Sequence, residues 1–170
     1  MADGILSIPS GGDTTYEDAF ITGDFPDGKY INERVTTIKT YAFASPTAYL
    51  KVSCPNVISI TSPSAGWFVG THNRLQRLYL PNVETVPPSW LRGQTALPSL
   101  YFPKLKKIGQ EAFKGMTNVE KDVVLPALTQ VTDVQQFQQL GQNKTEVNIY
   151  MPALTSFTSM RVSTTAQRHA

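Results

Sequence analysis

Few side chains in this sequence are of the kinds that do chemistry, and their spacing brings few of them together. The histidines, His72 and His169, belong to no metal-ligand spacing. Cys54 is the single cysteine, which excludes an internal disulfide and a cysteine zinc site. It falls on an apolar position of a strand-like pattern, where a small buried residue is expected. Glu17 and Asp18 are adjacent, so on a helix or strand they diverge and make no acid–base pair. The run Asp24 to Gly28 is a turn whose acidic residues form an incomplete calcium-ligand series. Ser10-Gly11-Gly12 follows no strand and ends in no Gly-Lys-Ser/Thr, so it is not a phosphate loop. The expectation is therefore a protein without catalytic residues, metal or cofactor. The chemistry that remains is recognition, and its candidates are Arg77, Tyr79, Ser99, Tyr101, Asp122, Asn148 and Tyr150.

Those seven residues stand at fixed offsets from a recurring proline. The prolines at 55, 81, 103, 126 and 152 are separated by 26, 22, 23 and 26 residues, the period of leucine-rich solenoids. One and three residues before each proline the chain is apolar: Val52/Cys54, Leu78/Leu80, Leu100/Phe102, Val123/Leu125 and Ile149/Met151. Two and four before it the residues are mixed: Lys51/Ser53, Arg77/Tyr79, Ser99/Tyr101, Asp122/Val124 and Asn148/Tyr150. Alternation of this kind predicts a strand with one face in a core and the other facing out. Stacked in parallel, the strands set the outward residues in two columns. Tyrosine there serves recognition through a large contact area and a hydroxyl, or simply packs as a ladder of good strand formers.

Proline lacks an N–H donor, so it ends each strand and turns the chain at a common corner. Two further inward residues follow, three apart: Val57/Ile60, Val83/Val86, Leu105/Ile108, Leu128/Val131 and Leu154/Phe157. A large apolar residue then closes each coil: Phe43, Phe68, Leu91 with Trp90, Phe113 and Phe137. The return segments, around Thr40 to Phe43 and Gln110 to Phe113, read as short helical turns or irregular chain. From Lys29 a half copy opens the array, with Val35, Ile38 and Phe43 in pattern and a degenerate strand half (Tyr30, Asn32), as befits a terminal repeat.

At 170 residues, 41% apolar and 16% charged, the chain is long enough for a core and is not disordered in composition. A net charge of +2 implies no nucleic-acid partner. Lys104, Lys106, Lys107 and Lys114 cluster in one repeat without interleaved aromatics and read as a solvated face. The N-terminus lacks the basic and apolar regions of a secretory signal. No apolar run approaches the roughly 20 residues that span a bilayer.

Val35-Thr36-Thr37-Ile38-Lys39-Thr40-Tyr41-Ala42-Phe43 and the run from Phe102 to Met116 resemble the BspA-like (treponemal-type) leucine-rich repeats. That pattern has an apolar-proline strand end, Val-x-x-Ile-Gly, then Ala-Phe and a small or cysteine position. Ile-Gly survives here as Ile108-Gly109, and Ala-Phe at 42–43 and 112–113. The resemblance implies a curved solenoid for protein or glycan contact, with no catalytic residues to carry over. In style the whole chain is similar to the short repeat proteins of phages and prophages of gut bacteria.

The organisation expected is an N-terminal arm or cap at 1–28, a leucine-rich-repeat solenoid at 29–158 and a polar tail at 159–170. The function expected is a non-enzymatic component of a phage tail, baseplate or capsid surface, assembled in the host cytoplasm. Residues 1–28 would join it to other virion proteins, and the solenoid would meet a protein or glycan partner or the host surface. The open ends of the stack are sites for docking or homo-oligomer formation. The alternative is a bacterial adhesion module that binds protein or glycan, in the cytoplasm or at the cell surface.

Overall fold

The structure is a computed structural model that describes residues 15–16, 29–33, 35–38, 51–60, 75–133 and 135–157. Among these the chain forms thirteen strands of two or three residues and no helix. In chain order they are β1 (Thr15–Tyr16), β2 (Lys29–Ile31), β3 (Thr37–Ile38), β4 (Lys51–Ser53), β5 (Ser59–Ile60) and β6 (Arg77–Tyr79). Then come β7 (Thr85–Val86), β8 (Leu100–Tyr101), β9 (Lys107–Ile108), β10 (Val123–Val124), β11 (Gln130–Val131), β12 (Ile149–Tyr150) and β13 (Ser156–Phe157). All pairings are parallel and join consecutive coils, so the fold is the parallel solenoid that the prolines predict.

One wall is built from the strands that precede the prolines. β2, β4 and β6 form one sheet, and β8, β10 and β12 another. Val52, Leu100 and Val123 are fully buried behind them, while Leu78 and Ile149 are half-buried. At the corner each proline occupies the second position of a β-turn. The closing bonds are Val57 N to Cys54 O, Val83 N to Leu80 O, Leu105 N to Phe102 O, Leu128 N to Leu125 O and Leu154 N to Met151 O, at 3.1–3.4 Å. Proline is preset for that position, since the turn needs its φ and leaves its missing N–H unused. Asn56 and Asn82, next in the turn, each donate from Nδ2 to a carbonyl of the coil before, Glu33 O at 2.6 Å and Pro55 O at 2.7 Å.

The second wall is a sheet the sequence did not predict. β1, β3, β5, β7 and β9 pair in that order, and β11 pairs with β13. The inward residues three apart are its buried members, Ile38, Ile60, Val86, Ile108 and Val131. Each strand has only two residues, which is too short for alternation to register in sequence. β1 lies within the expected 1–28 arm, and Thr15 and Tyr16 align with Thr37 and Ile38 of β3. The second sheet therefore begins ahead of Lys29. The first repeat's strand half is also more regular than its residues suggest: β2 aligns with β4 over all three residues. Asn32 is buried, and its N–H donates to Ser53 O at 2.9 Å.

The third wall is the return segment, and it is not helical at Gln110 to Phe113. Ser89 and Glu111 take φ of +55°, outside helical geometry. Alternate amides instead reach the next coil: Ser89 N to Gln110 O, Leu91 N to Ala112 O and Gly93 N to Lys114 O, each at 2.8 Å. The amides between them close local turns, such as Arg92 N to Ser89 O at 3.3 Å. Inter-coil bonding thus replaces the helical ladder, and every coil satisfies part of its backbone on its neighbour. The closing residues Trp90, Leu91, Phe113 and Phe137 are fully buried. Rings of Trp90, Phe102, Phe113 and Phe137 contact in sequence with centroids 5.2–6.2 Å apart. Phe43, Phe68, the remainder of the 1–28 arm and the 159–170 tail lie outside the described residues.

Candidate binding surface

Parallel registry fixes where the expected face residues go. Lys51 aligns with Arg77 and Ser53 with Tyr79; farther along, Val124 aligns with both Tyr101 and Tyr150. Ile31 aligns with Ser53 at the near end. Strand side chains alternate, so these residues share the outer face of the first wall. Tyr79, Tyr101 and Tyr150 are 47%, 54% and 57% exposed. About half of each of these side chains is thus open to solvent.

The face is not uniform, because the backbone ladder lapses between β6 and β8. A shallow depression of about 470 Å³ lies there, with Tyr79 and Tyr101 on either side of the lapse. Leu78 and Val52 also line it, and Ile31, Ser53 and Ser99 complete its apolar and hydroxyl rim. Lys51 and Arg77 bring its charge. Four of the seven expected residues, Arg77, Tyr79, Ser99 and Tyr101, are thus brought together. Asp122, Asn148 and Tyr150 stand beyond the depression on the same face, and Asn148 Nδ2 donates to Asp122 Oδ1 at 3.4 Å. Lys51 and Ile31 were not among the expected site residues. Lys51 was findable, since it has the same offset from Pro55 that Arg77 has from Pro81.

Charge elsewhere is paired between coils. Lys106 meets Glu84 at 2.9 Å, Arg92 meets Glu111 at 2.8 Å, and Lys144 meets Glu120 at 2.8 Å. The Lys144 hydrogen bond and charge hold the Glu120 carboxyl below its usual range. Within the lysine cluster, Lys106 and Lys114 are committed to Glu84 and Glu111. On the tyrosine face the pattern reverses: among the described residues neither Lys51 nor Arg77 has an acidic partner.

Cys54 is fully buried, as its apolar position predicted. Burial pushes its thiol up to about 12, against a weaker opposing effect of the Asn32 backbone hydrogen bond. Because the folded thiol resists ionisation, it contributes stability that is complete below the unfolded thiol's value of 9.0 and is lost as pH rises toward 12. Urea midpoints measured from pH 8 to 11 should fall more steeply for the natural chain than for Cys54→Ala. Equal slopes would place the thiol in contact with water. His72, His169, Glu17 and Asp18 lie outside the described residues. Among the described residues, no group of three His, Cys, Asp or Glu side chains could hold a metal, and no helix is long and apolar enough to cross a membrane.

Comparison with protein-family models, curated proteins and solved structures gave no match to this chain.

Proposed function

We propose that the chain is a non-enzymatic interaction module that binds a partner through the outer face of its first wall. The observation that carries this reading is the half-exposed tyrosine row beside Lys51 and Arg77, which have no acidic partner among the described residues. Tyrosine and arginine are the side chains that dominate binding energy at recognition surfaces. The repeats support a BspA-like leucine-rich solenoid, and their likeness to short phage-encoded repeat proteins supports a place on a virion. In that setting residues 1–28 join the module to other virion proteins.

Tyr79→Ala with Tyr101→Ala tests the face. Attachment of the full chain to its particle or to host cells should weaken by about thirtyfold or more. The melting temperature should move little, since each exposed strand pair contributes only about 0.2–1 kcal/mol. Unchanged attachment would remove the face from the account. Placement is tested by probing purified particles with antibody to the chain: labelling of particles supports the virion, whereas label on bacterial cells alone favours an adhesion module.

A further inference from the structure

We infer that the face takes a carboxylated glycan, its acidic sugar seated at Lys51 and Arg77 and its neutral sugars running toward Asp122 and Asn148. The inference rests on the reading of this face as a binding surface and names the class of ligand.

The first argument is electrostatic. Lys51 and Arg77 are register partners on adjacent strands, which puts like charges roughly 4.8 Å apart at the backbone. Like charges directly opposite each other destabilise a sheet. Among the described residues, three ion pairs tie other coils together and a fourth, Lys114 to Glu111, lies within one coil, each drawing a cation onto Glu84, Glu111 or Glu120. Among the described residues, no acidic side chain lines the depression that holds these two. An anion held between the two cations relieves the repulsion, and arginine receives a carboxylate through two parallel hydrogen bonds.

The second argument is shape and polarity. Tyr79 and Tyr101 flank an opening with Leu78 and Val52 beneath it, a platform for the C–H face of a pyranose ring. Farther along, Asp122 and Asn148 are exposed and joined at 3.4 Å. A carboxylate accepts hydrogen bonds from paired sugar hydroxyls and repels phosphates. A polyphosphate chain laid along the row would therefore be attracted at one end and rejected at the other. A glycan with acidic and neutral sugars meets complementary groups throughout.

The test offers the full-length protein an array of carboxylated oligosaccharides, uronic and sialic, beside their carboxyl-reduced counterparts and single-stranded oligothymidylate. Carboxylated members should bind about tenfold or more tightly than their reduced forms. Lys51→Gln and Arg77→Gln should each remove most of that preference while raising the melting temperature slightly. No preference for the carboxylate, or tighter binding of oligothymidylate, would overturn the inference. If the array fails while Tyr79→Ala with Tyr101→Ala still abolishes attachment to particles or cells, the face stands and the glycan assignment is wrong. If those tyrosine variants attach normally, the face itself is wrong. A salt titration adds a check: carboxylate binding should weaken as ionic strength rises.

Discussion

Phe113→Ala should lower the urea midpoint of the entire solenoid and broaden its transition. Phe113 is fully buried and packs on three other rings: Phe137 at 5.6 Å, Phe102 at 6.1 Å and Trp90 at 6.2 Å. Removing such a ring costs about 3–5 kcal/mol, the lost transfer energy plus the cavity. Total stabilities are typically about 5–15 kcal/mol, so the change consumes a large share of what is present. The location adds to the cost. In a solenoid each coil is held by its neighbours, and these rings belong to consecutive coils. Weakening the contact should let the two ends melt apart, which equilibrium unfolding followed by tryptophan fluorescence and by circular dichroism would report as two midpoints. Phe113→Leu should lose much less. A midpoint unchanged in Phe113→Ala would mean that the ring is not at the core.

Gly109→Ala should be nearly as damaging, although the substitution is often stabilising elsewhere by about 0.4–1 kcal/mol. A Cβ on Gly109 would lie 2.3 Å from Pro88 N, 2.4 Å from Pro87 C and 2.7 Å from Pro87 O. All three are backbone atoms of the preceding coil, so no side chain can swing aside. Gly109 N also donates to Val86 O at 2.9 Å, which fixes the separation that the methyl would have to open. The expected loss is about 3 kcal/mol, the upper end of ordinary overpacking, with the β7–β9 pairing the first to suffer. Gly93→Ala is the control. Nothing lies within 4 Å of its added Cβ, and only its φ of +74° opposes the change, a strain of about 1–2 kcal/mol. A thermal melt in which Gly109→Ala is as stable as the parent would contradict the close approach.

Both variants probe what could be read from the chain before any coordinates. The five prolines gave the coil boundaries because each sits in the same β-turn position. Leu80, Phe102 and Leu125 gave the core because their alternation with Tyr79, Tyr101 and Val124 runs for several residues. Ser59-Ile60 and Thr85-Val86 gave no such signal, since a two-residue strand contains one inward side chain and no period. The return segment left helical turn and irregular chain both open for a different reason. Glu111-Ala112-Phe113 has helix-compatible composition, yet positive φ at Glu111 and bonds to the next coil decide its form, and neither is local. The outer tyrosine face was legible as a row of residues. Its depression was not, because the alternation continues undisturbed through the lapse between β6 and β8. That Lys51 and Arg77 have no acidic partner among the described residues depends on which acids the other coils bring near, and that is a property of stacking.

An outer row running in line from Lys51 to Asn148 across the lapse between β6 and β8 underlies both the proposed binding face and the ligand proposed for it. Spin labels placed by Lys51→Cys and Asn148→Cys, with Cys54→Ala to remove the native thiol, measure it directly. Four strand steps should separate the two positions by roughly 20 Å in one narrow distribution. A broad distribution, or one centred beyond about 35 Å, would contradict a single aligned face.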